Sequence, residues 1–158
     1  MQIYTWNTQG NFTVPQKLNV IDQMNRLAAP VFVCIQEGGV NQNLNNINWL
    51  SFRGQGVGAF NERCTNYILL NDFARRQPVG LGSGMIRDQW GGAVVGGGVA
   101  GRTSIAVQYG NTLVVSWHSL SGLDNADTTK LVNAIDHMRR SDMSFIEGVN
   151  IGSCIIKV

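Results

Sequence analysis

The first 37 residues restrict the fold of this chain more than any other segment. Residues 1–6, MQIYTW, alternate in polarity and are rich in β-branched and aromatic residues, which predicts a strand. Apolar residues then follow helical spacing from Leu18 to Ala28, and Pro30 ends that pattern. The almost continuously apolar run VFVCIQ, residues 31–36, predicts a second, buried strand. Strand, helix and strand in this order are typical of an α/β unit, so we expect an α/β fold.

Later segments continue the alternation of strands and helices. The run NYILLN, residues 66–71, predicts a strand, and residues 102–118 predict a hairpin with a YGN turn. Residues 128–140 predict a helix capped by Asp127, as Thr13 is expected to cap the first helix, and SCIIKV predicts a last strand. The expected apolar face of the later helix consists of Leu131, Val132, Ile135 and Met138. With 158 residues and no linker-like segment, we expect a single domain over residues 1–158.

Charge and cysteine content narrow the classes of function. The net charge is +2 and only 14% of residues are charged, so the chain lacks the bulk basic character of many nucleic-acid binders. A site for a polyanion therefore has to be local. The three cysteines form no CxxC or Cys/His pair, so they do not predict a zinc site. No apolar run approaches the roughly 20 residues of a transmembrane helix, and no secretory signal pattern opens the sequence, so the cellular location stays open.

Four polar residues stand at the ends of predicted strands. Asn7 follows IYTW, Glu37 follows VFVCIQ, Arg102 precedes SIAVQY, and His118 follows LVVSW. Strand ends of an α/β sheet are where sites are usually built. Carboxylate and amide oxygens suit Mg²⁺, an arginine suits phosphate, and a histidine can act as a general base or acid. Together the four residues predict metal-assisted hydrolysis of a phosphate ester.

Each of these residues also has an ordinary alternative. Glu37 alone fits a solvated strand end, His118 a structural histidine and Arg102 a loop charge. The expected environment of the tryptophans and of a pair of arginines is ordinary as well. We expect the core to hold Trp6, Trp90 and Trp117, with base stacking as the alternative, and the solvated surface to hold Arg75 and Arg76, with phosphate contact as the alternative.

Four motifs in chain order carry a resemblance to a known family. TWNTQG, FVCIQEGG, GRTSIAVQY and VVSWHSLSG come in the order found in the endonuclease/exonuclease/phosphatase superfamily, over roughly residues 3–140. The chain most resembles the branch of the cytolethal distending toxin B subunit, which shares the WN-x-QG form. The resemblance implies a DNase I-like α/β sandwich of two β-sheets flanked by helices. It also implies Mg²⁺-dependent cleavage of DNA or, as in some members, removal of phosphate from phosphoinositides.

The resemblance implies a role for six residues. Glu37 would be the main Mg²⁺ ligand, Asn7 would help to position metal and phosphate, and His118 would be the catalytic histidine. Arg102 would contact phosphate. Arg63, in NERCTNYILL, is similar to a second phosphate-contacting arginine, and Asn150, in SFIEGVN, is similar to an asparagine near the phosphate. The implied setting is a secreted bacterial toxin that acts with partner subunits.

The later part of the family pattern is missing from this sequence. The family has a Gly-Asp-x-Asn strand end where this chain has GVN at residues 148–150, and the family's Ser-Asp-His strand end does not occur. Relative to the family, we therefore expect an incomplete DNase I-like domain. Two hypotheses follow: a DNA-cleaving phosphodiesterase, or a catalytically weak or inactive homologue that acts through binding or assembly, for example as a homodimer.

Overall fold

Two four-stranded β-sheets form the centre of the protein in a computed structural model that describes residues 1–39, 49–54, 64–98, 102–119, 126–141 and 153–157. The first sheet has the strand order β1–β2–β4–β3, and the second has the order β5–β6–β7–β8. The strands are β1 (Gln2–Asn7), β2 (Val31–Gln36), β3 (Leu50–Arg53), β4 (Tyr67–Leu70), β5 (Leu81–Gly84), β6 (Ile105–Tyr109), β7 (Thr112–Ser116) and β8 (Ser153–Lys157). The helices are α1 (Pro15–Asn25), α2 (Asp72–Arg75) and α3 (Ala126–Arg140), and a 3-10 turn spans Gly96–Gly98.

The central strand β2 is buried on both faces, as its unbroken apolar run predicts. Its alternate residues Val31, Val33 and Ile35 share a hydrophobic cluster with Ile21 of α1. The residues between them point to the other side, into a cluster shared with the second sheet. That inner cluster includes Phe32, Cys34, Ile68, Leu70, Ile105, Val107 and Val114.

The second sheet repeats this division. Leu113 and Val115 of β7 pack in a cluster with Leu131 and Ile135 of α3, whereas Val114 belongs to the cluster between the sheets. The order of layers is therefore α1, first sheet, second sheet, α3. The coarse expectation of an α/β sandwich with flanking helices is confirmed by these layers.

The carboxyl ends of β1, β2 and β7 lie at one end of the sandwich. β1 and β2 are parallel, with Asn7 opposite Gln36. The Gln36 Nε2 amide donates to Ser116 Oγ of β7 (3.4 Å), and Ser116 Oγ in turn donates to the carbonyl of Ile35 (3.4 Å). These buried hydrogen bonds fix the end of β2 against the end of β7. The residues that follow the two strands, Glu37 and His118, are thereby placed together.

Several predicted details of the helices were wrong. Val14, not Thr13, is the N-cap of α1, and no side-chain hydrogen bond caps the helix. The Thr13 hydroxyl instead donates to Asn11 Oδ1 at 2.7 Å. Asp127 lies inside α3, and its Oδ2 accepts from the Gly97 N–H at 2.6 Å, so it joins α3 to the glycine-rich turn. Val132 is 46% exposed and does not belong to the apolar face.

The predicted burial of the tryptophans and the predicted exposure of the arginine pair are confirmed with one exception. Trp117 is fully buried and Trp6 packs partly against the α1 cluster, as expected. Trp90 is 82% exposed, so its expected place in the core was wrong. Arg75 and Arg76 are exposed as expected, and both pair with Asp72. No helix in the described ranges is long and apolar enough to cross a membrane.

Candidate functional site

Glu37 and His118 lie close together at the end of the sandwich, where the end of β2 packs against the end of β7. His118 Nε2 lies 3.8 Å from Glu37 Oε1, an ion-pair distance that is longer than a direct hydrogen bond. Both side chains are mostly buried, with 17% of His118 and 20% of Glu37 exposed. Residual exposure leaves this carboxylate–imidazole pair accessible to a ligand from solution. The sequence predicted both residues at strand ends, and the structure brings them together.

The backbone holds Glu37 in an unusual conformation. Its φ is +53°, in the left-handed region that a non-glycine residue rarely adopts. The Glu37 carbonyl accepts from the Gly10 N–H at 2.6 Å and from the buried Thr8 hydroxyl at 3.0 Å. Such a conformation costs on the order of 1 kcal/mol and persists only where surrounding contacts enforce it. Thr8 and Gly10, which follow β1, thus set the direction in which the Glu37 side chain leaves β2.

The turn after Glu37 depends on a close approach to β4. A Cβ added to Gly38 would lie 2.6 Å from the Tyr67 ring, so this position has no room for a side chain. The Gly38 N–H donates to the Thr65 carbonyl at 2.8 Å, and the Tyr67 hydroxyl donates to the Gly39 carbonyl. The two glycines of the QEGG motif therefore pack the chain beneath Tyr67 and leave Glu37 facing the second sheet.

The surroundings of His118 disfavour the protonated form of its imidazole. Burial lowers the pKa of its imidazole below the usual 6.5, and the nearby Arg102 guanidinium lowers it further, while Glu37 opposes both effects. At neutral pH the imidazole is therefore uncharged and able to accept a proton. The His118 carbonyl lies only 1.8 Å from the position of a Cβ at Gly96, so the 3-10 turn can pass the site only with a glycine there.

Arg102 brings a positive charge to the same site. It lies just before β6, and its Nη1 donates to the Ser119 carbonyl at 3.4 Å. Among the described residues, this is the guanidinium hydrogen bond that is seen, and it uses one of the five N–H donors. Glu37, Arg102 and His118 together are called the strand-end site below. The site combines an imidazole that can accept a proton, a carboxylate, and a guanidinium that can donate hydrogen bonds to an anion.

Buried polar atoms without partners concentrate at the strand-end site. Within the described ranges, five buried side-chain nitrogen or oxygen atoms have no hydrogen-bond partner, and three of them are Asn66 Oδ1, Arg102 Nε and His118 Nδ1. Asn66 belongs to the same region because its Nδ2 donates to the carbonyl of Thr103, the residue after Arg102, at 3.0 Å. An unpaired buried polar atom costs about 1–3 kcal/mol, and native proteins contain few of them. Arg102 Nε and His118 Nδ1 belong to the strand-end site itself, where they can bond to water or to a ligand.

Asn7 is exposed and ends β1, the strand beside the one that leads into Glu37. It ends β1 opposite Gln36, and its Oδ1 accepts from the Gln9 N–H at 3.0 Å, which leaves one lone pair for another partner. One carboxylate and one amide oxygen on neighbouring strand ends fit Mg²⁺, which commonly takes one or two protein oxygens and keeps several waters. No group of three or more His, Cys, Asp or Glu side chains that could hold a metal occurs in the part of the chain that the structure describes. The donors present thus fit a weakly held magnesium ion, not a closed metal cage.

Two of the predicted phosphate ligands, Arg63 and Asn150, lie outside the described residues. Sequence reasoning missed another arginine, Arg53, which ends β3 opposite Tyr67. Arg53 is exposed, and its guanidinium hydrogen-bonds the Tyr67 hydroxyl, which opposes the rise that burial causes in the pKa of Tyr67. Because Tyr67 in turn lies opposite Ile35 of β2, Arg53 stands at the same end of the first sheet as Glu37. Its place at the end of a strand is the signal that could have identified it.

Comparisons with known proteins identify no family for this chain. No protein-family model matches the sequence, and no curated protein matches it either.

Proposed function

We propose that the protein is a Mg²⁺-dependent phosphodiesterase that cleaves DNA, with a DNase I-like fold of the type found in the cytolethal distending toxin branch. The observation that carries the proposal is the meeting of Glu37 and His118 at 3.8 Å, with Arg102 beside them. These residues come from three separate strand ends of two sheets. The motif order in the sequence supports the same activity.

His118 is the general base of the proposed reaction. Its lowered pKa keeps the imidazole uncharged at neutral pH, so it can take a proton from the attacking water. The water oxygen then bonds to phosphorus, the bond to the leaving sugar oxygen breaks, and that oxygen takes a proton from solvent. Glu37 would stabilise the imidazolium that forms, because its carboxylate lies 3.8 Å from Nε2.

Phosphate binding falls to the positively charged groups of the site. Arg102 would hold a non-bridging phosphate oxygen with the N–H groups that Ser119 does not use. Glu37 and Asn7 would hold the magnesium ion, which when bound supplies positive charge against the phosphate. Arg53, at the edge of the same sheet end, would contact a neighbouring phosphate of the strand.

Nicking of supercoiled plasmid tests the proposal. Wild-type protein should nick in Mg²⁺ and stop in EDTA, and the variants His118→Gln and Glu37→Gln should each be at least about 100-fold slower. Matched controls come from α3: His137→Gln and Asp136→Asn remove the same functional groups outside the strand-end site. These two control variants should nick at the wild-type rate.

Three results would decide against the proposal. Nicking that survives in His118→Gln and Glu37→Gln would mean that the site does not carry the activity. If the wild type nicks nothing in Mg²⁺ at high protein concentration, the alternative of an inactive homologue that acts through binding or assembly is favoured. Release of phosphate from a phosphoinositide without nicking would favour the phosphatase alternative.

A further inference from the structure

The hairpin of residues 86–94 carries an isolated, exposed tryptophan. Arg87 pairs with Ala93, and Trp90 stands in the turn between them with 82% of its surface exposed. An indole exposed to this extent presents a large flat apolar face that a partner can cover. The other exposed large apolar side chains in the described residues lie in other elements.

The turn is held by hydrogen bonds. Asp88 Oδ1 accepts from the N–H groups of Trp90 (3.0 Å) and Gly92 (2.8 Å), and the Gly91 N–H donates to the Asp88 carbonyl at 3.0 Å. Arg87 Nη1 donates to the Gly91 carbonyl at 2.8 Å. The indole is therefore presented on a fixed loop, so little conformational entropy is lost when it binds a partner.

The hairpin begins at the end of the second sheet that contains the strand-end site. β5 leads into it at Gly84, which lies opposite Ala106 near the start of β6. The Val94 carbonyl accepts from the N–H and the hydroxyl of Ser104, two residues after Arg102, at 3.0 Å each. From Ile86, which pairs with Val94, four residues of extended chain reach Trp90, a span of at most about 13 Å.

Bases rise by about 3.4 Å along a strand, so the span from Ile86 to Trp90 corresponds to about four nucleotides. Ile86 packs in one cluster with Trp117, the residue before His118, so a strand held at the strand-end site can reach the indole within a few nucleotides. A flat indole stacks on an unpaired base, and the guanidinium of Arg87 adds positive charge next to it. We propose that Trp90 is a stacking contact for an unpaired base of single-stranded DNA bound across the strand-end site. This proposal rests on the proposed function and adds a contact for an unpaired base to the same DNA site.

A membrane surface fits this hairpin less well. Segments that insert into lipid present several apolar side chains, whereas the neighbours of Trp90 are Asp88, Gln89 and two glycines. A single aromatic face beside a guanidinium suits a base and its phosphate.

Binding measured without cleavage tests the contact. A fluorescein-labelled single strand of about 12 nucleotides is titrated in EDTA, and its anisotropy gives Kd for the wild type, Trp90→Ala, Trp90→Phe and Phe73→Ala. Trp90→Ala should raise Kd by at least about fivefold, Trp90→Phe should raise it less, and the blunt duplex of the same sequence should show a smaller change. Phe73→Ala, an exposed aromatic on α2, is the control and should not change Kd.

The proposal is overturned if Trp90→Ala binds the single strand as tightly as the wild type, or if the wild type does not bind it. It is also overturned if Trp90→Ala reduces co-sedimentation with phosphatidylserine-containing vesicles and leaves oligonucleotide binding unchanged. Because binding in EDTA needs no catalysis, these results are separate from the plasmid assay. A protein that nicks plasmid but shows no Trp90 effect loses only this contact.

Discussion

At the level of single residues, the protonation of His118 makes the stability of the folded protein depend on pH. Its pKa is lowered in the folded protein by burial and by Arg102, whereas in the unfolded chain it is about 6.5. Between the folded pKa and 6.5 the unfolded chain binds more protons, so acidification favours unfolding there. The contribution of His118 is fully present above pH 6.5 and is lost as pH falls through the folded pKa.

This linkage gives a prediction for stability. The free energy of unfolding from urea titrations should fall between about pH 7.5 and 5.5, and His118→Gln should make that fall smaller. His137→Gln, on α3, is the control and should leave the slope as in the wild type. An equal slope in His118→Gln and the wild type would show that the imidazole is not buried as the structure has it.

Residue-level prediction from sequence succeeded where the backbone itself indicated a strand end. Glu37 and His118 were identified because each follows an apolar run that could only be a buried strand. Their separation could not be predicted, because it depends on how the two sheets stack. Trp90 was misassigned because hydrophobicity alone does not show that a tryptophan lies in a turn made by Asp88 and two glycines.

Among the structural elements, the 3-10 turn of Gly96–Gly98 packs closely against the backbone of the strand-end site. A Cβ at Gly96 would come within 1.8 Å of the His118 carbonyl, which only a shift of the backbone could relieve. The Gly97 N–H also donates to Asp127 of α3, so the turn joins the site to that helix. The sequence showed a glycine-rich segment here but not its purpose, because the close approach is a tertiary contact.

Substitution at this turn should move His118. Gly96→Ala is expected to lower the free energy of unfolding by several kcal/mol, about the upper range for single substitutions, and to slow cleavage as the imidazole shifts. Gly110→Asn is the control, because a Cβ at Gly110 meets no atom within 4 Å and asparagine tolerates its φ of +60°. Urea unfolding and the nicking rate measure both effects. A Gly96→Ala protein with normal stability and rate would contradict the close approach.

At the scale of the whole molecule, the stacking of layers makes the site. Each sheet is covered on its outer face by a helix, and the buried hydrogen bonds of Ser116 with Gln36 and Ile35 hold the two sheets together. The alternation of strands and helices predicted an α/β fold, since apolar periodicity is a local property. Which face of each sheet packs against the other sheet is determined by contacts between distant segments, and a single sequence does not show these contacts.

Neighbouring residues of α3 test the layer order. Leu131 is fully buried against the second sheet, whereas Val132 is 46% exposed. Leu131→Ala should lower the free energy of unfolding by about 2–5 kcal/mol, and Val132→Ala should change it by no more than about 0.5 kcal/mol. Urea titration measures both values. Equal losses in the two variants would mean that α3 presents a different face to the sheet.

We propose that Glu37 and His118 act together in one catalytic site. A double-mutant cycle tests it most directly: the rates of DNA cleavage in Mg²⁺ are compared for the wild type, Glu37→Gln, His118→Gln and the double variant. When two residues act as a unit, the effects of their substitutions on the rate are not additive. The double variant should therefore be no more than about threefold slower than the slower single variant. Losses that multiply, or a single variant with the wild-type rate, would contradict a joint site.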